Sequence, residues 1–136
     1  MNETSAETLS VVVERDIPYA AEKIWRALSQ PHLIEEWLMK NDFMAVVGHR
    51  FSFRGDWGAA ECEVLTVEPN KTLAYTWCAM GLKSVITWTI TPSGTGTHLR
   101  MEQSGFRPEQ RQAYQGAKLG WRQFFAALEQ VLARMD

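Results

Sequence analysis

A series of closely spaced period-two segments ends at Pro108, and beyond it apolar residues recur at helical spacing almost to the end of the chain. Tyr114, Ala117, Trp121, Phe124, Phe125, Leu128, Val131 and Leu132 fall on one side of a helix reaching to Met135. A helix of about 26 residues spans roughly 39 Å, enough to cross a small domain. Its apolar side has to be covered, and the strands before it are the obvious cover. Gly116 and Gly120 lie one turn apart on it. Each costs roughly 1 kcal/mol of helix propensity relative to alanine, so they read as a close approach to the sheet or a bend.

The rest of the chain supplies the cover. Leu9, Val11 and Val13 alternate with Ser10 and Glu14 across residues 8–16, and Pro18 ends this first strand. Ala21, Ile24, Trp25 and Leu28 stripe a short helix over residues 20–29. Pro31 opens a second, with Leu33, Ile34, Trp37 and Leu38 as its apolar face. From Phe43 the period becomes two. Phe51 and Phe53 share a face, then Ala60, Cys62, Val64 and Thr66, then Leu73, Tyr75 and Trp77. Ile86, Trp88 and Ile90 come next, then Leu99 and Met101. Turn residues separate these runs and no helix intervenes, so an antiparallel meander is expected. The class is α+β: a strand, two short helices, five or six strands and a long helix, with a curved antiparallel sheet around that last helix. Residues 1–7 read as a flexible tail and 8–136 as a single domain.

Apolar residues make up 46% of the chain and aromatics 11%, enough for a core without disulfide or metal. The formal net charge of −2 favours neither nucleic acid nor an anionic membrane. No apolar run approaches the 18 or more residues of a membrane span. Cys62 and Cys78 have no metal-ligand spacing, lie in predicted strands and read as free thiols. With no basic, apolar leader at the start, the expected compartment is the cytoplasm.

Residues 17–38, IPYAAEKIWRALSQPHLIEEWL, resemble the opening of the START-like, or SRPBCC, superfamily. The likeness rests on Ile24-Trp25 with Leu28, then Pro31 and Trp37. It continues through Gly48 with Phe51, the strand at residues 85–90 containing Trp88, Ser104-Gly105-Phe106, and Gly120-Trp121. Within the superfamily the chain is most similar to bacterial homologues of the heat-shock-protein ATPase activator C-terminal domain, over residues 8–133. The resemblance implies the helix-grip fold of the birch-pollen allergen, in the order β-α-α-β6-α. It also implies a cavity between sheet and C-terminal helix, and a homodimer by family habit. Relatives bind lipids, sterols or polyketides, a few are cyclases or dehydratases, and some bind chaperones.

In such a fold the expected cavity wall is Trp37, Phe51, Phe53, Cys62, Val64, Tyr75, Trp77, Trp88, Leu99, Met101, Tyr114, Gly120, Trp121 and Phe125. No phosphate-binding, dinucleotide-binding, zinc-protease or serine-hydrolase motif is present. The dispersed His32, His49 and His98 do not suggest a metal site, and no cofactor is expected. Glu61 and Glu63 share a strand face and read as outward, as do Arg54, Arg100 and Glu102, although an inward Arg54 could anchor a polar ligand head. Glu63, His49 and Tyr114 are the candidates for acid–base work. The first expectation is non-catalytic binding of a small hydrophobic or aromatic molecule. The alternatives are a cyclase or hydratase acting on a polyketide-like or aromatic substrate, and a chaperone-associated interaction protein.

Overall fold

The computed structural model describes residues 8–135. The tail expected at residues 1–7 lies outside the described residues. Strand β1 (Leu9–Ile17) is followed by helices α1 (Ala21–Ser29) and α2 (Pro31–Trp37). Six further strands succeed them: β2 (Lys40–Asn41), β3 (Arg50–Gly55), β4 (Gly58–Glu68), β5 (Thr72–Ala79), β6 (Leu82–Ser93) and β7 (Gly96–Phe106). The last element is helix α3 (Arg111–Arg134). All seven strands form one antiparallel sheet in the order β1-β7-β6-β5-β4-β3-β2, curved against the helices. This is the helix-grip architecture.

Local chemistry explains the joints. Gln30 precedes a proline, which disfavours helical backbone there, and it adopts φ −99° and ψ 122°. One extended residue thus ends α1 and starts α2, with Pro31 at the first helical position. Residues 43–49, expected to begin the period-two region, form a loop instead, with a turn at residues 47–48. The Asp42 carboxylate accepts the backbone N–H of Ser52 at 2.9 Å, and the Asn41 amide oxygen accepts that of Phe43 at 3.1 Å. Phe43 is nevertheless buried.

Two bulges adjust the strand phases. In β4, Val64 pairs with Tyr75 but Thr66 pairs with Ala74, leaving Leu65 as an extra residue. Cys62 and Val64 therefore face the core as expected, but beyond them Val67, not Thr66, packs against it. In β7, Phe106 pairs with Leu9 and Ser104 with Ser10, so Gly105 is the extra residue, at φ +112°. A Cβ there would stand 2.7 Å from the Lys83 carbonyl oxygen. Gly105→Ala should therefore cost about 2 kcal/mol or more. A lower urea midpoint at unchanged denaturant slope checks this.

The core is an aromatic network between sheet and helices. Trp88 is fully buried, with Trp37 and Trp121 edge-on at 5.6 and 5.8 Å and Phe125 stacked at 5.6 Å. Its indole N–H donates to the Tyr75 hydroxyl at 3.1 Å. Burial pushes the Tyr75 phenol upward, keeping it neutral. Trp37 donates to the Ala27 carbonyl at 2.9 Å, tying α2 to α1.

On the outer face, His98 bridges two β1 carboxylates, with Nδ1 2.8 Å from Asp16 and Nε2 2.7 Å from Glu14. The hydrogen bonds to Asp16 and then Glu14 raise its pKa above the ordinary 6.5. The folded state therefore holds the proton more tightly than the unfolded chain does. The resulting stability is fully present below pH 6.5 and is lost as the pH rises through the raised value. Melting curves across this range should show the dependence in the natural chain and a flatter profile in His98→Gln.

Candidate functional site

The two halves of α3 meet the sheet differently. Its C-terminal half presents Phe125, Leu128, Val131 and Leu132, all buried. Its N-terminal half presents Ala113, Gly116, Ala117 and Gly120 at spacings of three, one and three. These small residues cannot reach the sheet, and a cleft of about 890 Å³ lies beneath them. The glycines bring no backbone into close approach. A Cβ at Gly116 would meet nothing within 4 Å, and one at Gly120 only the Phe124 ring edge at 4.0 Å.

Trp77 of β5, Gln103 and Phe106 of β7, and Trp121 and Phe124 of α3 form the inner wall. Trp57 from the β3–β4 turn, Met39 after α2, and Met80 from the β5–β6 turn contribute the rim. The Trp57 indole N–H lies 3.4 Å from the Met39 sulfur, and a Cβ on Gly55 would stand only 3.0 Å from the same nitrogen. Met80, with 88% of its surface exposed, leaves the rim open to solvent. Glu109 and Arg111 are the titratable side chains bordering the cleft, and Glu109 accepts a 2.9 Å hydrogen bond from Arg107. An opening of this volume, mostly apolar with a few polar groups, suits a drug-sized molecule.

Trp121 and Gln103 of the wall are linked in series with Ser84, which does not itself line the cleft. Trp121 Nε1 donates to Gln103 Oε1 at 2.7 Å, Gln103 Nε2 to Ser84 Oγ at 3.0 Å, and Ser84 Oγ to the Trp77 carbonyl at 2.8 Å. Neither Gln103 nor Ser84 stands out in the sequence as a site residue. The signal was phase: Gln103 continues the inward register of Leu99 and Met101, and Ser84 that of Ile86 and Trp88.

Of the expected wall, Trp77, Gly120 and Trp121 border the cleft. Trp37, Phe51, Phe53, Cys62, Val64, Tyr75, Trp88, Leu99, Met101 and Phe125 are buried deeper in the core. Phe51, for example, meets Phe43, Phe53 and Tyr75 edge-on at 5.1, 5.3 and 5.5 Å. Burial pushes the Cys62 thiol upward, away from the thiolate a nucleophile needs. Tyr114 packs edge-on against Phe106 and borders a separate groove with β1 and Lys118.

The acid–base candidates are not brought together. Glu63 lies 3.8 Å from Arg50 on the outer face, and His49 Nε2 lies 2.9 Å from the Asp42 carbonyl oxygen. Arg54 is exposed, and Arg100 pairs with Glu102 at 3.0 Å. Among the described residues, no three His, Cys, Asp or Glu side chains gather as a metal site requires. Likewise, no described helix is long and apolar enough to cross a membrane.

Fold and cleft together define a helix-grip protein with a cavity capable of binding a small hydrophobic molecule. The family model for Activator of Hsp90 ATPase homolog 1-like protein matches residues 18–133, and the chain belongs to that family. Protein MLL2253 from Mesorhizobium loti is 65% identical, with a TM-score of 0.91 over 94% of this chain and 99% of that one. DynU16, from the dynemicin biosynthetic locus, is 24% identical with a TM-score of 0.83, over 92% of this chain and 47% of its own. The Aha1 dimer from Colwellia psychrerythraea is 22% identical with a TM-score of 0.79, over 91% and 96%. At such identities the last two likenesses are of fold alone. No curated protein matches the chain.

Proposed function

We propose that the chain takes up a small aromatic molecule in the cleft beneath the N-terminal half of α3. The observation that carries this reading is the pairing of a glycine-lined roof with an aromatic inner wall. Gly116 and Gly120 leave space that a side chain would occupy, and Trp77, Trp121 and Phe124 offer ring faces and edges around it. Expelling water from this surface drives binding, and the rings favour a flat ligand. Trp77, Gly120 and Trp121 are the proposed contacts, with the deeper aromatic core holding them in place. The free thiols suit a reducing compartment, so the cytoplasm is the proposed setting.

Native mass spectrometry of freshly purified protein, followed by denaturing extraction, tests this. A retained aromatic compound supports the reading. An empty protein, with no thermal shift across an aromatic library, overturns it.

A second reading is that the bound molecule is converted rather than stored, as a cyclase or hydratase would do with a polyketide-like substrate. The place of DynU16 in a biosynthetic locus supports conversion over storage. Glu109 and Arg111 are then the side chains positioned to move a proton or hold a developing charge at the rim. Incubating protein with the extracted compound and following its mass and chromatographic retention separates the two readings, since hydration adds the mass of one water and a simple cyclisation leaves the mass unchanged. A chaperone partner draws support only from the family's description, and a homodimer from the dimeric Colwellia protein.

A further inference from the structure

The hydrogen-bonded series through the cleft wall has a fixed direction. The Trp121 indole has one N–H and no acceptor, so the Gln103 atom 2.7 Å from it has to be the amide oxygen. That orientation turns Gln103 Nε2 toward Ser84, whose Oγ accepts at 3.0 Å because its own proton goes to the Trp77 carbonyl. The amide therefore cannot flip without setting two donors against each other at Trp121.

One donor in the series is left over. An amide nitrogen carries two N–H bonds, and Ser84 takes one. Among the described residues Gln103 Nε2 makes no second hydrogen bond. Gln103 is 97% buried and borders the cleft between Trp77 and Trp121. A molecule in the cleft that offers an acceptor to this donor gains a hydrogen bond that a hydrocarbon cannot make.

We propose that the cleft selects an aromatic carbonyl compound, whose oxygen accepts the spare Gln103 Nε2–H while its rings lie against Trp77 and Trp121. This rests on the reading of the cleft as an aromatic-binding site and adds the chemical class of the ligand. A carbonyl suits the position because it brings acceptor lone pairs and no hydrogen of its own. A bare hydrocarbon leaves the donor unmet.

The test compares 2-acetylnaphthalene with 2-ethylnaphthalene, which differ at one carbonyl, by displacement of 1-anilinonaphthalene-8-sulfonate. The ratio of their affinities in the natural chain is set against the same ratio in Gln103→Met and Ser84→Ala. Solubility differences between the probes cancel in that comparison. The ketone's relative advantage should fall about five- to tenfold in Gln103→Met, the loss of one neutral hydrogen bond. In Ser84→Ala it should persist, because that variant breaks the series but keeps the free N–H. In ¹⁵N-labelled natural protein, one Gln103 side-chain amide proton should lie farther downfield with the ketone than with the hydrocarbon, which shares the ketone's ring current, a readout that needs no variant to fold. An unchanged ratio in Gln103→Met, equal losses in both variants, or no selective amide shift overturns the proposal and leaves aromatic binding standing. Failure of both probes to bind the natural chain overturns the aromatic-site reading, and this proposal with it.

Discussion

Gly120→Leu should abolish ligand uptake while leaving the fold intact. A new Cβ at this position meets only Phe124 at 4.0 Å, so the backbone has no reason to move. The rest of the leucine then enters the cleft and takes space that ligand atoms would need. Affinity for an aromatic ligand should drop roughly 100-fold or more, because the lost volume cannot be recovered by repacking a rigid inner wall. Stability should move the other way. Replacing a helical glycine recovers up to about 1 kcal/mol of propensity, so Tm should hold or rise by a few degrees. A variant that melts higher and binds nothing separates occlusion from damage. Retained affinity would place the ligand elsewhere.

Trp88→Ala should have the largest effect on stability. Trp88 is fully buried and joins α2 and α3 to the sheet through Trp37, Trp121 and Phe125. Truncating a buried tryptophan costs about 3–5 kcal/mol, and losing the donor to the buried Tyr75 hydroxyl adds to it. Tm should fall by more than about 10 °C in a chain of this length. Trp57→Ala offers the contrast. This ring sits at the cleft rim, 45% exposed, and its removal should change stability by no more than about 1 kcal/mol. Thermal melts of the two variants give the comparison directly. Equal losses would mean that the rim is as structural as the core.

The architecture was legible because periodicity survives in the chain wherever one face is buried. Ile86, Trp88 and Ile90 alternate cleanly, and Phe125, Leu128 and Leu132 keep helical spacing, so strand and helix could be read without coordinates. The site was less legible because packing and lining leave the same pattern. Phe53 and Trp77 belong to strands with the same inward alternation, and the two rings stack at 5.1 Å. Only Trp77 also borders the cleft, because α3 carries glycine and alanine above it and Phe53 lies deeper. That small-residue face was visible in the sequence, but without the sheet beneath it the glycines read equally as a bend or a close approach. Trp57 and Met80 come from hairpin turns far apart in the chain, and no local spacing links such residues. Leu65 shows a further limit: one inserted residue reverses the phase of the strand beyond it, and nothing in the composition of β4 announces it.

The two ends of the sheet are not equivalent. At one end stands β2, two residues long, beside a β3 whose Ser52 amide is already taken by Asp42. At the other stands β1, nine residues long and, among the described residues, paired on one side only. An incoming strand finds a full-length template at β1 and almost none at β2. A head-to-tail contact of β1 on β2 would therefore find a template on one side only. The same asymmetry denies this sheet the head-to-tail stacking that builds a fibre.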